Sequence, residues 1–279
     1  MEPISATRVG DRIVSPLKWH GGKNYLARRL VELMPSHTHY VEPYAGGLAV
    51  LLAKNPEGFS EVVNDLNGDL CNFWNVLRDT ALFDSFLRMT QATAFSEQIW
   101  KQSYEALQTR TDSTKVDRAF WFFVTCRQSL AGRMDTFAPL SKTRTRRNMN
   151  EQASAWLNAV EGLPQVHARL KRVAVLNKPA LDVLIQEDGA KTLFYCDPPY
   201  LHETRTDRDT YDHEMTEEEH EQLLKALLNV QGKVILSGYH SRLYDTSLRQ
   251  WSCHDFELPN NAASGGKKRR MIEAVWCNF

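Results

Sequence analysis

The chain has no charge excess, no long apolar run, no paired-cysteine spacing and no internal repeat. Its 34 Lys and Arg balance its 34 Asp and Glu, for a formal net charge of zero. Any attraction to a polyanion must therefore come from local clusters, not from an overall field. The longest apolar stretch, around Tyr44–Ala53, contains two glycines and is too short to span a bilayer. The N-terminal residues carry acids and no apolar core, so a secretory signal peptide is not expected. Five cysteines stand at 71, 126, 196, 253 and 277, none in a CxxC pair. That pattern excludes a disulfide framework and fits the reduced thiols of a cytoplasmic protein. A Gly-x-Gly-x-x-Gly turn is missing, which argues against an ordinary dinucleotide site. A phosphate-binding P-loop is excluded as well, because Leu17 and Asn24 stand where glycine and a hydroxyl residue are needed. His20, His202 and His240 are scattered along the chain; a structural role is expected for them, and no metal site.

What is present is organised. The 279 residues are 42% hydrophobic and 24% charged, enough for one large α/β domain or a core with an inserted module. After a tail over 1–15 comes Lys18-Trp19-His20-Gly21-Gly22-Lys23, then a helical Tyr25–Leu33. His39–Val41 reads as a strand, Glu42–Gly47 as a glycine turn and Leu48–Lys54 as a helix. A second strand, Glu61–Asp65, precedes a helix over Asn67–Arg78. This is how a doubly wound sheet begins. From about 80 to 170, Trp100, Tyr104, Phe120, Phe123 and Trp156 fall at helical spacing, with a polar, basic loop at 132–149. Short apolar strands resume at Val173–Leu176, Thr192–Cys196 and Lys233–Ser237. Thr216–Glu219 is a capping-box pattern that opens a helix to about Leu228, and Met271–Phe279 alternates like a closing antiparallel strand. A helical block between two strand-bearing blocks predicts an inserted subdomain.

The sharpest chemical signal is Asp197-Pro198-Pro199-Tyr200, directly after the strand Thr192–Cys196. In open α/β sheets, ligands sit at the carboxyl ends of strands. An aryl amine such as adenine N6 is a poor nucleophile, because its lone pair is delocalised into the ring. Acceptors on both its hydrogens help the nitrogen present that pair. Asp197 offers one acceptor and the Pro198 carbonyl the other, its direction set by Pro199. Tyr200 offers a face for a base, a contact worth roughly 1–3 kcal/mol. A base paired in a duplex must flip out to arrive there, at a cost of a few kcal/mol. Cys196, next to Asp197, reads as a buried strand residue and not as a nucleophile.

Two further segments are weaker signals alone. Glu42, Tyr44 and Gly46 lie in the turn after the first strand, and Asp65 closes the second strand, placed to hold ribose hydroxyls. Trp19 and Lys23 belong to a glycine turn that reads as a lid over a ligand.

Taken in order, these motifs resemble the Dam-like, D12 class of adenine-specific DNA N6-methyltransferases, phage and prophage members above all. The likeness runs from about residue 16 to 279, through Gly232–Tyr239 and Glu273–Trp276. It implies a Rossmann-like methyltransferase sheet with an inserted, mostly helical target-recognition subdomain: catalytic residues 1–79 and 171–279, recognition residues 80–170. It implies that Trp19, Lys23, Glu42, Tyr44, Gly46, Asp65 and Asp197 hold S-adenosylmethionine, and that Asp197, Pro198, Pro199 and Tyr200 form the adenine pocket. Transfer is then direct, with neither a covalent enzyme intermediate nor a metal. Related sequences often carry an acid in the segment matching Asn177–Leu181; this chain has Pro179, with Asp182 nearby.

The expected partner is double-stranded DNA, met by a monomer or weak dimer with no obligate protein partner and no membrane. Arg127, Gln128, Arg133, Lys142, Arg144, Arg146 and Arg147 are the candidate contacts, by bidentate base reading or by phosphate pairing. The run Lys267-Lys268-Arg269-Arg270 is a further candidate for the DNA backbone. Alternative readings stay open: an N4-cytosine or RNA methyltransferase, or a DNA-binding module whose catalytic fold is silent.

Overall fold

The computed structural model describes residues 13–201, 215–258 and 271–279. His202 and the basic run 267–270 lie outside them. The strands are β1 (His39–Glu42), β2 (Ser60–Asn64), β3 (Thr145–Arg146), β4 (Met149–Asn150), β5 (Val173–Leu176), β6 (Thr192–Cys196), β7 (Lys233–Gly238), β8 (Ser252–Leu258) and β9 (Met271–Cys277). The α-helices are α1 (Ala27–Leu33), α2 (Ala49–Ala53), α3 (Gly68–Arg78), α4 (Thr80–Gln91), α5 (Glu97–Thr109), α6 (Lys115–Gln128), α7 (Glu151–Leu170), α8 (Ala180–Gln186), α9 (Glu217–Leu227) and α10 (Arg242–Ser247). All five cysteines are free thiols. Among the described residues no helix is long and apolar enough to cross a membrane.

The chain forms two compact units. One holds the described residues up to Leu33 with Gly47–Pro56 and Asn72–Lys171, and the other holds Met34–Gly46, Glu57–Cys71 and Arg172–Phe279.

The second unit contains a seven-stranded sheet in the order β5-β2-β1-β6-β7-β9-β8. Its first five strands are parallel. Strand β9 runs antiparallel to both β7 and β8, so the expected closing antiparallel strand is present. Buried parallel strands need apolar side chains on both faces, and β6 is buried along its whole length. Val41, Phe194, Val234 and Leu236 pack with Leu223, Leu224 and Leu227 of α9 in a single core cluster. Helix α9 starts where the sequence predicts. The Thr216 hydroxyl accepts from the Glu219 amide, and the Glu219 carboxylate accepts from the Thr216 amide. From β1 the sheet grows one way through β2 and β5 and the other way through β6 and β7. The strand order therefore reverses between β1 and β6, the place where open α/β sheets bind ligands.

Strand β8 carries no strand signal in the sequence. Its seven residues, Ser-Cys-His-Asp-Phe-Glu-Leu, hold no apolar run, and it is held by pairing with β9 along its whole length, from Ser252↔Cys277 to Leu258↔Met271.

The first unit is helical, with an aromatic core. Phe73 stacks on Phe123 at 5.7 Å, Phe86 meets Phe123 edge-on, and Trp156 also packs on Phe123. Two of its buried indoles show how such N–H groups are satisfied: Trp100 donates to the Thr125 carbonyl at 3.1 Å and Trp156 to the Thr93 carbonyl at 2.7 Å. The basic loop is more ordered than the sequence reading has it. β3 and β4 form an antiparallel hairpin around Arg147 and Asn148, whose φ angles are 52° and 59°. Two successive left-handed residues make the tight turn that matches strand twist.

Candidate active site

Three turns at the carboxyl ends of β1, β2 and β6 build the centre of the second unit. Asp65, just beyond β2, spends its carboxylate on two of them. Oδ2 accepts from the Gly46 amide and Oδ1 from the Asn67 amide, each at 3.0 Å. Asn64, the last residue of β2, binds three neighbours. Its Nδ2 donates to the Pro43 and Lys178 carbonyls at 3.0 Å, and its Oδ1 accepts from the Lys178 amide at 2.9 Å. One buried amide thus fixes the turns after β1 and β5. From sequence alone Asn64 has no role beyond ending the second strand beside Asp65; the signal is an amide, not an apolar residue, at the end of a buried strand. Glu42 is buried and accepts a 2.7 Å bond from the Tyr40 hydroxyl. Burial, beside Cys196 and Tyr244, raises the Tyr44 phenol well above its usual range, so it stays protonated. Pro179 caps α8, with Asp182 in that helix's first turn.

Asp197 leaves the end of β6 partly exposed, with Pro198 and Tyr200 buried beside it. The Tyr200 hydroxyl lies 3.2 Å from Asp197 Oδ1 and 3.0 Å from Oε1 of Glu273 on β9. Its ring meets Tyr239, just after β7, edge-on at 4.7 Å. The motif is therefore part of a larger constellation, which includes Tyr239 and Glu273. Sequence reasoning left both without a role; Glu273 was visible as a lone acid within the apolar closing strand. Burial pushes the Cys196 thiol far above its usual range, so it is inert at neutral pH, as expected of a strand residue.

In the first unit, the Lys18–Lys23 turn packs against two glycines. A Cβ on Gly47 would lie 2.9 Å from Cβ of Trp19. A Cβ on Gly132, whose φ is +78°, would lie 1.8 Å from the Lys18 carbonyl oxygen. The Trp19 ring tilts against Phe122 at 6.3 Å. Lys23 is buried and donates to the Gly21 carbonyl at 2.9 Å. Lys18 sits near the Gln152 carboxamide oxygen at 3.5 Å, and burial together with the Arg127 charge lowers its pKa to about 8.

The candidate DNA residues divide by exposure. Arg133, Lys142, Arg144, Arg146 and Arg147 are exposed. Arg147 is engaged by Glu161 through two 2.9 Å bonds and by Asn158, and Arg144 pairs with Glu151 at 3.4 Å. Arg127 is partly buried, donates to the Ala155 carbonyl at 2.8 Å, and keeps a buried Nε with no hydrogen-bond partner. Gln128 is fully buried. Its Oε1 accepts from the Ser96 amide at 2.9 Å and its Nε2 donates to the Ala94 carbonyl at 3.2 Å. To touch a base, Gln128 would have to abandon both.

Comparison with known proteins bears on this arrangement twice. Over 117 residues the chain is 28% identical to the Retron Ec67 DNA adenine methylase of Escherichia coli, an alignment covering 42% of this chain and 40% of that protein. The chain thus spans less than half the length of that relative. The profile of the D12 class N6 adenine-specific DNA methyltransferases matches residues 19–262, a span that runs from Trp19 through Asp65 and past Asp197–Tyr200. With its strand-end turns at the sheet's reversal point and that match over most of its length, the chain belongs to the D12 class of N6 adenine-specific DNA methyltransferases.

Proposed function

We propose that the chain methylates the exocyclic N6 amine of adenine at specific sites in double-stranded DNA, with S-adenosylmethionine as methyl donor. The observation that carries this reading is Asp197–Tyr200 at the end of β6, beside β1, where the strand order reverses. S-adenosylmethionine supplies an electrophilic methyl group on a sulfonium sulfur. The donor set fits it. Asp65 is an acceptor-only carboxylate with about four lone-pair sites, set at the end of β2 by the Gly46 and Asn67 amides, and in this reading it takes the ribose hydroxyls. Glu42 ends β1, and Tyr44 and Gly46 stand on the turn that follows it. Trp19 and Lys23 enter the proposal on the family resemblance.

Asp197 accepts one hydrogen of the amine and the Pro198 carbonyl accepts the other, which turns the nitrogen lone pair outward. Tyr200 receives the flipped base on its ring, while its hydroxyl steadies the Asp197 carboxylate. The surplus proton left on nitrogen departs along the Asp197 hydrogen bond. Residues 80–170 serve as the target-recognition subdomain. In it, Arg133, Lys142, Arg144 and Arg146 meet phosphates, and Arg147 does so when released from Glu161.

The test is transfer of labelled methyl from S-adenosylmethionine to unmethylated duplex DNA, with Asp197→Ala as control and the product digested to nucleosides. N6-methyladenine from the wild type alone supports the reading. N4-methylcytosine as sole product, or normal transfer by Asp197→Ala, overturns it.

A further inference from the structure

Beyond the Asp197–Tyr200 motif, the fold brings His240 to a pair of side chains on β8. His240 lies on the loop that leaves β7, and Cys253 and Asp255 lie on β8. Alternate residues of a strand share a face, so the thiol and the carboxylate point the same way. A ring nitrogen of His240, the thiol of Cys253 and a carboxylate oxygen of Asp255 all lie within 4.8 Å of one another. His240 Nε2 is 2.9 Å from Asp255 Oδ1, and Cys253 Sγ is 3.9 Å from the same oxygen. The group is open to solvent, with His240 43% and Asp255 54% exposed.

A second observation concerns the other ring nitrogen. His240 Nδ1 lies 2.7 Å from Oδ1 of Asp245 on α10. Metal-bound imidazoles almost always give their outer N–H to a carboxylate, which fixes tautomer and ring direction. Here that outer bond is in place, and Trp276 flanks the ring edge-on at 5.6 Å. We propose that His240 Nε2, Cys253 Sγ and Asp255 Oδ1 form a binding site for a zinc-class divalent cation, with Asp245 orienting the imidazole.

The donor set selects the ion class. Imidazole with thiolate suits borderline-soft ions such as Zn²⁺, whereas Mg²⁺ and Ca²⁺ prefer oxygen alone. Tetrahedral zinc with its usual bond lengths holds donors about 3.4–3.7 Å apart. The sulfur–oxygen separation of 3.9 Å is already close to that, and the nitrogen–oxygen pair has only to open by about half an ångström. Three protein donors leave a fourth position for water. The ion would fasten to β8 the loop that carries Tyr239, the ring in edge contact with Tyr200.

The test is titration of metal-stripped, full-length protein with Co²⁺, following the thiolate-to-cobalt charge-transfer band, then displacement by Zn²⁺. One equivalent is expected to bind with that band, and Cys253→Ser is expected to abolish it while circular dichroism stays unchanged. Asp245→Asn is expected to weaken Co²⁺ binding about 10- to 100-fold. No band in the wild type, or a band that survives Cys253→Ser, overturns the site. Unchanged affinity in Asp245→Asn overturns the orienting role. Neither readout involves methyl transfer, so failure here is distinct from failure of the proposed function.

Discussion

The Tyr200 hydroxyl donates to Oε1 of Glu273 across 3.0 Å, joining the turn after β6 to the middle of β9. The same hydroxyl lies 3.2 Å from Asp197. Its one proton is shared between the two carboxylates, so the phenol links them through a divided hydrogen bond. Tyr200→Phe keeps the ring for base stacking and removes this tie. A hydrogen bond to a charged group is worth about 1.5–3 kcal/mol, and each 1.36 kcal/mol is about tenfold in rate. Steady-state kinetics should show kcat falling about 10- to 100-fold with KM for DNA little changed. Tyr200→Ala also loses the stacking surface, so KM should rise as well. Equal behaviour of the two variants would count against separate roles for ring and hydroxyl.

Two glycines make opposite predictions. Gly132 has φ +78° and leaves no room beside the Lys18 carbonyl, whereas Gly162 lies within α7 with nothing near its missing side chain. Gly132→Ala is strained twice over, by dihedral and by clash, and should cost more than about 1 kcal/mol. For a chain this size that lowers Tm by at least about 2–4 °C. Gly162→Ala removes backbone freedom from the unfolded helix at no steric cost and should add about 0.5–1 kcal/mol. Thermal melts of the pair check both, and an unchanged Tm in Gly132→Ala would contradict the close approach to Lys18.

How far the sequence carried the reading depends on the range of the interaction. β1, β2, β6 and β7 were legible because a buried parallel strand writes itself as a short apolar run, and α9 because Thr216 and Glu219 are local partners. The turns after β1 and β6 were legible as motifs. Other features depend on partners distant in sequence. Strand β8 exists through β9, Glu273 acquires its meaning from Tyr200, and His240 meets Cys253 and Asp255 only once β7 and β8 are in place. The β3–β4 hairpin was hidden for another reason: its turn puts Arg147 at positive φ, a conformation that arginine seldom announces.

Gln128 carries the sharpest distinction between reading DNA and holding the fold. The side chain is buried, and both ends of its amide are bonded to backbone groups of the partly exposed Ala94–Ser96 segment. Gln128→Leu takes the side-chain partner from the Ser96 amide and the Ala94 carbonyl, which water can reach in part, so the loss is about 1–3 kcal/mol in total. The expected outcome is a lowered urea midpoint, with DNA sequence preference unchanged in a binding-site selection. A relaxed preference in a protein of unchanged stability would mean that the side chain leaves its pocket to meet a base.

The exposed basic residues should announce themselves through salt. Each phosphate neutralised contributes about −0.9 to the slope of log affinity against log salt. Lys142, Arg144 and Arg146 all project to solvent from the segment around β3, so replacing the three with alanine should flatten that slope by about 2–3 and weaken binding alike for cognate and unrelated duplexes. Arg147 differs, because Glu161 already occupies both arms of its guanidinium. That ion pair is surface-exposed, where such pairs are worth little, so a phosphate can compete for the arginine. Glu161→Gln should therefore steepen the slope by about one, and Arg147→Ala in that background should take the gain away. If Glu161→Gln leaves the slope unchanged, Arg147 belongs to the hairpin's own architecture and not to the DNA contact.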